Sequence, residues 1–119
     1  MATIVAQTIS ESGFVAEYTA CEGAGDKVLN DGYTFISVTN TGGDTITVSV
    51  TAEVETVESH TYGDLSKGDA TQVVEDTETI FLGPFYKAAF NDEDGYFNIT
   101  YSPNATGLTI AALLVSRTN

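Results

Sequence analysis

The sequence predicts an all-β protein, folded as one domain over residues 1–119 in an antiparallel β-sandwich or barrel of jelly-roll-like form. Apolar side chains alternate with threonine and serine at a period of two, which is typical of strands that bury one face. Glycine-rich turns separate these runs, and no segment keeps the period of a helix. Such a pattern indicates about seven or eight short strands, because short runs joined by tight turns build antiparallel sheets.

The N-terminal segment carries two short apolar runs, Ile4–Ile9 and Phe14–Tyr18, which predict the first two strands. Two interpretations stand side by side for residues 1–12. They complete the protein's own sheet as an edge strand, or they form an arm that adds a strand to a neighbouring molecule. Ile4 and Val5 would be the apolar anchors of such an arm.

The clearest alternation lies in the middle of the chain. In Thr34–Thr39, Ile36 and Val38 share one face, and in Thr45–Thr51 isoleucine and valine alternate with threonine and serine. Asn40–Asp44, between these runs, contains two glycines, which supply the positive φ that tight turns require. The sequence therefore predicts a β-hairpin here.

Two further strands are expected at Thr71–Val74 and Thr77–Leu82. Gly83-Pro84 ends the second of them, because proline has no N–H group to donate to a neighbouring strand. The stretch Val57–Thr71 before them is the longest polar segment, and a loop of this length is often functional. A surface excursion without a function is the alternative.

Tyr96–Tyr101 and Leu108–Val115 predict the last two strands, with the turn Ser102–Gly107 between them. In the final strand both faces are apolar, since Ala111 and Leu113 lie on the face opposite the expected core. A strand of this kind either lies centrally in the sheet stack or contacts another subunit.

The charge balance excludes some partners. The chain has 17 acidic and 4 basic residues, a formal net charge of −13, and its lysines and arginine are scattered. Nucleic-acid binding needs clustered basic side chains that release counterions, so neither nucleic acid nor an anionic membrane is expected as a partner. We find neither a signal-peptide pattern nor an apolar run of about 20 residues that could span a membrane, which predicts synthesis in a cytoplasm.

The acidic stretch Asn91–Gly95 raises the question of a calcium site. An EF-hand loop has an invariant glycine at its sixth position. If Gly95 is that glycine, Phe90 occupies the first ligand position and Tyr101 the last. Neither side chain supplies the required oxygen ligand, so the EF-hand interpretation fails. A turn is the simpler prediction, because Asp94-Gly95 precedes an alternating run. A looser calcium site completed by another loop is the alternative.

No catalytic pattern is found in the sequence. His60 is the single histidine, Cys21 is the single cysteine, and neither lies in a motif that activates a nucleophile. No disulfide within the chain is expected, and no phosphate-binding loop or dinucleotide fingerprint occurs. We therefore expect a protein that is not an enzyme and that holds no catalytic residues, cofactor or metal.

Several motifs in the last third of the chain form a distinctive set. They are Leu82–Phe85, Phe90–Gly95, Phe97–Ser102 and Leu108–Leu113, with Asn30–Asn40 earlier in the chain. The set resembles a group of small structural proteins of tailed bacteriophages, and the resemblance covers residues 27–115. Capsid decoration, or cement, proteins are similar in size and all-β character.

The resemblance implies a structural virion protein, made in the host cytoplasm, that binds the outside of an assembled phage capsid. The implied partners are the major capsid protein and further copies of this chain, with a trimer favoured. Candidate contacts with the capsid or a neighbour are Ile4, Val5, Tyr62 and Leu65, and the candidate subunit interface is Leu113 and Val115. The alternatives are a tail or head–tail connector component, and a small carbohydrate-binding module.

Overall fold

The computed structural model describes six stretches of the chain: residues 2–9, 13–53, 56–57, 65–66, 69–85 and 87–115. Within them the chain forms β-strands and one four-residue helix. No helix in these stretches is long and apolar enough to cross a membrane. The elements are β1 (Ala2–Ile4), β2 (Ala6–Ile9), β3 (Thr19–Ala20), β4 (Asp26–Leu29), β5 (Thr34–Asn40), β6 (Ile46–Val50), β7 (Thr56–Val57), β8 (Leu65–Ser66), β9 (Ala70–Val74), β10 (Thr79–Leu82), α1 (Lys87–Phe90), β11 (Tyr96–Ser102) and β12 (Leu108–Val115).

Two five-stranded sheets form a β-sandwich, which confirms the predicted fold class. The first sheet has the strand order β1-β4-β11-β6-β9. The second has the order β10-β5-β12-β2, and β3 also pairs with β12. β7 and β8 form a separate two-stranded ribbon inside the predicted long loop, most of which lies outside the described residues.

The hydrophobic core lies between the two sheets and is built by the alternation seen in the sequence. On β6, Ile46, Val48 and Val50 are fully buried, while the threonine and serine between them are half-buried. Burying a side chain of this size contributes about 1.5 to 3 kcal/mol, so each strand of this pattern favours the sandwich strongly. Phe85 closes one part of the core, with ring centroids 4.5 Å from Phe97 and 5.3 Å from Phe90 of α1.

The N-terminal segment departs from the prediction in two ways. It completes the protein's own sheets, but it is divided between them, since β1 pairs with β4 in the first sheet and β2 with β12 in the second. Both pairs are parallel, so the sheets are mixed rather than wholly antiparallel. Ile4 is 6% exposed and packs in the core, and it therefore does not anchor an arm.

β4, which was not predicted from the sequence, lies between β1 and β11 in the first sheet. Its first two residues are Asp26 and Lys27, and charged residues are unusual in a central strand. Asp26 is nevertheless fully buried, whereas the side chain of Lys27 lies over the ring of Tyr96 with Nζ 4.7 Å from the ring centroid. The strand could not be recognised from apolar alternation because Asp26, which points into the core, is charged.

The predicted hairpin at Asn40–Asp44 is wrong. β5 already has two neighbours, pairing with β10 along one edge and with β12 along the other. No edge of β5 is left for β6, and the chain instead crosses from the second sheet to the first, where β6 pairs with β9 and β11. The glycines signal a tight turn, which serves a crossing between sheets as well as a hairpin.

Asn40 stabilises the connection between β5 and β6, which we call the corner. Its side-chain Nδ2 donates hydrogen bonds to the carbonyl of Val74, at the end of β9, and to the carbonyl of Asp44. Its Oδ1 accepts from the N–H of Gly42 at 3.0 Å, and its main chain pairs with Thr77 and Glu78 at 2.8 and 3.0 Å. The side chain is fully buried, so one amide joins a strand of each sheet and the loop between them.

Gly42 and Gly107 let the corner pack against the turn before β12. A Cβ atom built on Gly42 would lie 2.4 Å from the carbonyl oxygen of Thr106, and one built on Gly107 would lie 2.3 Å from the Cα of Gly42. Any side chain at either position would push the two loops apart. The N–H of Thr41 donates to the carbonyl of Gly107 at 2.9 Å across this contact.

We predict that Asn40→Ala lowers the free energy of unfolding by about 2 to 3 kcal/mol, because it leaves polar groups of a buried corner unpaired. Asn104→Ala is the matched control, since its Oδ1 accepts one hydrogen bond, from the N–H of Thr106, in an exposed turn. Asn104→Ala should lower the free energy of unfolding by less than about 1 kcal/mol. Urea unfolding of the two variants measures both values, and equal losses would contradict the role given to Asn40.

Candidate interaction surfaces

The second sheet carries no charge. None of its five described strands contains Asp, Glu, Lys or Arg, although the whole chain has 21 such residues, 17 acidic and 4 basic. The polar positions of these strands are threonine, serine, asparagine and glutamine. A partner that covers these strands therefore desolvates no charged side chain of the strands themselves, and Glu17 is the exposed acidic residue on the same side of the sheet.

Aromatic rings lie on this outer face. Phe81 of β10 is 63% exposed, and its ring centroid is 6.3 Å from that of Phe35 of β5, with the rings tilted by 53°. The hydroxyl of Tyr18 shares a 2.8 Å hydrogen bond with Oγ of Ser37, the residue opposite Phe81 in the strand register. We call the surface formed by Tyr18, Phe35 and Phe81 the aromatic face.

The segment at residues 13–18 crosses the outer side of the second sheet. The amide of Gln7, on β2, pairs with the main chain of Glu17, donating to its carbonyl at 2.7 Å and accepting from its N–H at 2.9 Å. Tyr18 reaches Ser37 on β5, and β12 lies between these two strands. The predicted strand Phe14–Tyr18 is therefore wrong, because a glutamine side chain takes the place of a neighbouring strand at Glu17.

The central position of β12 in the second sheet agrees with its two apolar faces. β12 lies between β5 and β2, so the first of the two interpretations, a central strand, is confirmed. Ala111 is fully buried and Leu113 is 5% exposed within the single chain. Leu113 thus has almost no surface to offer a second subunit, and the predicted interface at this residue is corrected. The side chain of Val115 lies outside the described residues.

Val5 stands at the point where the chain passes from the first sheet to the second. It is 78% exposed, whereas Ile4 beside it is buried. A groove of about 300 Å³ lies on one side, lined in part by Leu29, Tyr96 and Leu114. A second groove, of about 380 Å³, lies on the other side. We call Val5 with its flanking grooves the Val5 ridge.

The other sequence candidates lie mostly outside the described residues. Tyr62 and His60 both fall there, and Leu65 is described in its main chain alone, where it pairs with Val57. Their roles as contacts or as chemistry stay predictions.

A buried polar cluster was missed by the sequence analysis. The hydroxyl of Tyr101 donates a 2.6 Å hydrogen bond to Oδ2 of Asp26, which also accepts from the N–H of Glu22 at 3.2 Å. Oδ1 of Asp26 is buried and has no hydrogen-bond partner among the described residues. Cys21, Glu22 and Asp26 are close in the sequence, but Tyr101 lies 75 residues from Asp26, so no spacing in the sequence indicates the cluster.

Burial dominates the acid–base properties of this cluster. It raises the pKa of Cys21 from 9.0 to about 11, against the opposing effect of the hydrogen bond with Tyr101, and the negative charge of Asp26 adds to the increase. Burial also raises the pKa of Tyr101 far above its usual value. The thiol is therefore protonated near neutral pH, which is the opposite of what a nucleophilic cysteine needs.

The acidic stretch Asn91–Gly95 forms the predicted turn. Oδ1 of Asp92 accepts from the N–H groups of Asp94 and Tyr96 at 2.9 and 3.0 Å, and its Oδ2 accepts from the side chain of Asn98 at 3.0 Å. The hydrogen bond from Asn98 is the largest of several that hold the pKa of Asp92 below its usual value. Within the described stretches, no three His, Cys, Asp or Glu side chains are grouped to hold a metal ion.

Comparisons of this chain with protein-family models, with curated proteins and with solved structures found no match. A proposal about function therefore depends on the surfaces of the chain itself and on the motifs described for its sequence.

We predict that Tyr101→Phe lowers the free energy of unfolding by about 1 to 3 kcal/mol, because it removes the hydrogen bond donated to the buried carboxyl group of Asp26. Tyr18→Phe is the matched control, since it also removes one tyrosine hydroxyl, at a residue that is 41% exposed. Chemical unfolding of both variants at neutral pH compares them. A smaller loss for Tyr101→Phe than for Tyr18→Phe would contradict the importance of the buried cluster.

We further predict an alkaline loss of stability that involves Cys21. Its pKa is raised on folding, so its contribution to stability is complete below pH 9.0 and is lost as the pH rises towards about 11. The free energy of unfolding should fall over this range, and Cys21→Ala should reduce the slope. Urea unfolding at a series of pH values measures the slope, and an unchanged slope in Cys21→Ala would overturn this prediction.

Proposed function

We propose that this protein is a structural virion protein, not an enzyme, that binds the outside of an assembled phage capsid and stabilises it. The observation that carries the proposal is the second sheet, whose described strands contain no charged residue and bear the aromatic face, in a chain of net charge −13. Such a face suits a broad contact with a protein shell, and the acidic loops keep the unbound protein soluble.

The physical basis of stabilisation is mass action. A protein that binds the assembled shell but not its separate subunits shifts the equilibrium towards the shell by its binding free energy. Copies bound at repeated positions add their contributions, and contacts between neighbouring copies increase the effect. No catalytic group is needed for this role, in agreement with a cysteine whose thiol stays protonated.

The partner in this proposal is the major capsid protein, and the location is the outer surface of the virion. Association with further copies, with a trimer favoured, is part of the proposal because of the resemblance to decoration proteins. Closed cyclic symmetry is the usual outcome when identical subunits associate.

The geometry of the aromatic rings favours a protein partner over a sugar. Phe35 and Phe81 are tilted by 53° and do not form one flat platform for stacking sugar rings. Tyr96, an aromatic residue of the first sheet, has the ammonium group of Lys27 over its ring. The carbohydrate-binding alternative therefore has less support than a contact with a protein shell.

Phe81→Glu tests this proposal. The change places a charge in the centre of the proposed contact, and losing one buried phenylalanine weakens binding by about tenfold to a hundredfold. Co-sedimentation with expanded capsids that lack the protein measures the affinity. Val73→Glu is the matched control, because Val73 is also an exposed apolar residue of an edge strand, at 45% exposure, but it belongs to the first sheet.

We expect the control to bind within about twofold of the natural protein. The melting temperature of the capsids, measured in parallel, should rise with the natural protein and not with Phe81→Glu at the same concentration. The proposal fails if the natural protein does not sediment with capsids. The assignment of the aromatic face fails if both variants bind equally well.

A further inference from the structure

The Val5 ridge has a surface that the packing of the domain does not explain. Val5 is 78% exposed and Leu29, which lines the groove beside it, is 59% exposed. Ala6 and Leu114 continue the apolar lining of the same groove. Two well-exposed aliphatic side chains at the rim of an apolar groove are typical of a surface that a partner covers.

Edge strands lie on both sides of Val5. β1 is the terminal strand of the first sheet, and β2 is the last strand in the order of the second. Within the described residues, β1 pairs with β4 and β2 pairs with β12, so each has one edge that faces away from its sheet. A segment that adopts an extended conformation can hydrogen-bond to such an edge while its side chains enter adjoining grooves.

The charged side chains that line the two grooves are acidic, and the ammonium group of Lys27 lies beside the first groove, over the ring of Tyr96. Asp31 lines the first groove and Glu17 lines the second, and neither groove is lined by lysine or arginine. Burial acts to raise the pKa of Asp31, but hydrogen bonds from Tyr33 and Thr34 outweigh it and hold this pKa below its usual value. The carboxylate therefore stays ionised at neutral pH, and with a net charge of −13 the chain attracts a basic partner to this surface.

We propose that the Val5 ridge binds an extended, positively charged segment of a shell subunit, in which aliphatic side chains are flanked by lysine or arginine. The aliphatic side chains would enter the grooves beside Val5, and the basic side chains would approach Asp31 and Glu17. Taking a shell subunit as the source of the segment rests on the proposed function. The chemistry of the binding site is independent of it.

Three synthetic heptapeptides of one design test this inference with the isolated full chain. Each has valine at its third and fifth positions, and the remaining positions are all lysine, all serine or all glutamate. Titrations followed by ¹H–¹⁵N NMR give both the affinity and the residues affected. We expect the lysine peptide to bind about tenfold or more tightly than the serine peptide, and the glutamate peptide not to bind.

Binding of the lysine peptide should shift the amide signals of Val5, Ala6 and Leu29, and it should weaken as salt is added, because ions screen charges at the surface. Absence of binding by the lysine peptide, or equal binding of the lysine and serine peptides, would overturn the inference. So would shifts centred on Phe81 rather than on Val5.

Two pairs of variants separate a specific site from diffuse attraction between a basic peptide and an acidic protein. Val5→Ser and Asp31→Asn should each weaken the lysine peptide by about fivefold or more. Asparagine keeps the oxygen that accepts from Tyr33 and Thr34, so the local fold is preserved. The controls Val73→Ser and Asp94→Asn make the same changes elsewhere and should alter binding by less than about twofold. If the control variants weaken binding of the lysine peptide as much as the ridge variants do, the proposed site is wrong.

Failure of this inference and failure of the proposed function are distinguishable. If the lysine peptide binds the ridge but the protein does not sediment with capsids, the binding site is confirmed. The segment that it binds does not then belong to a shell subunit. If the protein sediments with capsids and Val5→Ser binds them unchanged, the capsid role stands and the ridge is not part of it.

Discussion

The fold depends on one buried amide, the side chain of Asn40. This residue ends a strand of the second sheet, and its amide bonds to the last residue of β9 in the first sheet and to the loop that connects the two. An amide has two N–H donors and a carbonyl acceptor, and all three kinds of group are used here inside the protein. The bonds fix where the chain leaves one sheet and enters the other.

The position of the outer surfaces follows from this corner. β5 ends at Asn40, and its residues Ile36 and Val38 point into the core. Phe35 and Ser37 therefore point away from the first sheet, together with Phe81 of the neighbouring strand. The amide of Gln7 then holds the main chain of Glu17 on the outer side of the sheet, and Leu113, opposite Gln7 in the register, is 5% exposed. The aromatic face is the part of the outer surface of the second sheet that stays exposed.

The absence of charged residues from the strands of the second sheet links the structure to the proposed function. A net charge of −13 opposes the approach of acidic surfaces, including a second copy of the same domain. Contacts that do form are therefore expected where carboxylates are absent, on the aromatic face, or where the partner is basic, at the Val5 ridge. The two surfaces have different chemistry and suit two different features of one shell, a broad apolar area and an extended basic segment.

Much of the fold could be predicted from the period-two alternation, since β5, β6, β9, β11 and β12 lie where it placed them. The connections could not, because a glycine-rich turn such as Asn40–Asp44 fits a hairpin and a crossing between sheets equally well. β4 was missed because Asp26 occupies a core position. Val5 is a candidate contact from the sequence, and the structure shows that it is exposed, whereas the aromatic face was not predicted because its rings come together only through the sheet order.

Quantitative mass spectrometry of purified phage particles, counting this protein against the major capsid protein, tests the proposed capsid role. The account predicts a simple fixed ratio between the two, as expected for a protein that occupies equivalent positions over the whole shell. A few copies per particle would instead place the protein in the tail or connector. Its complete absence from the particles would contradict the structural role.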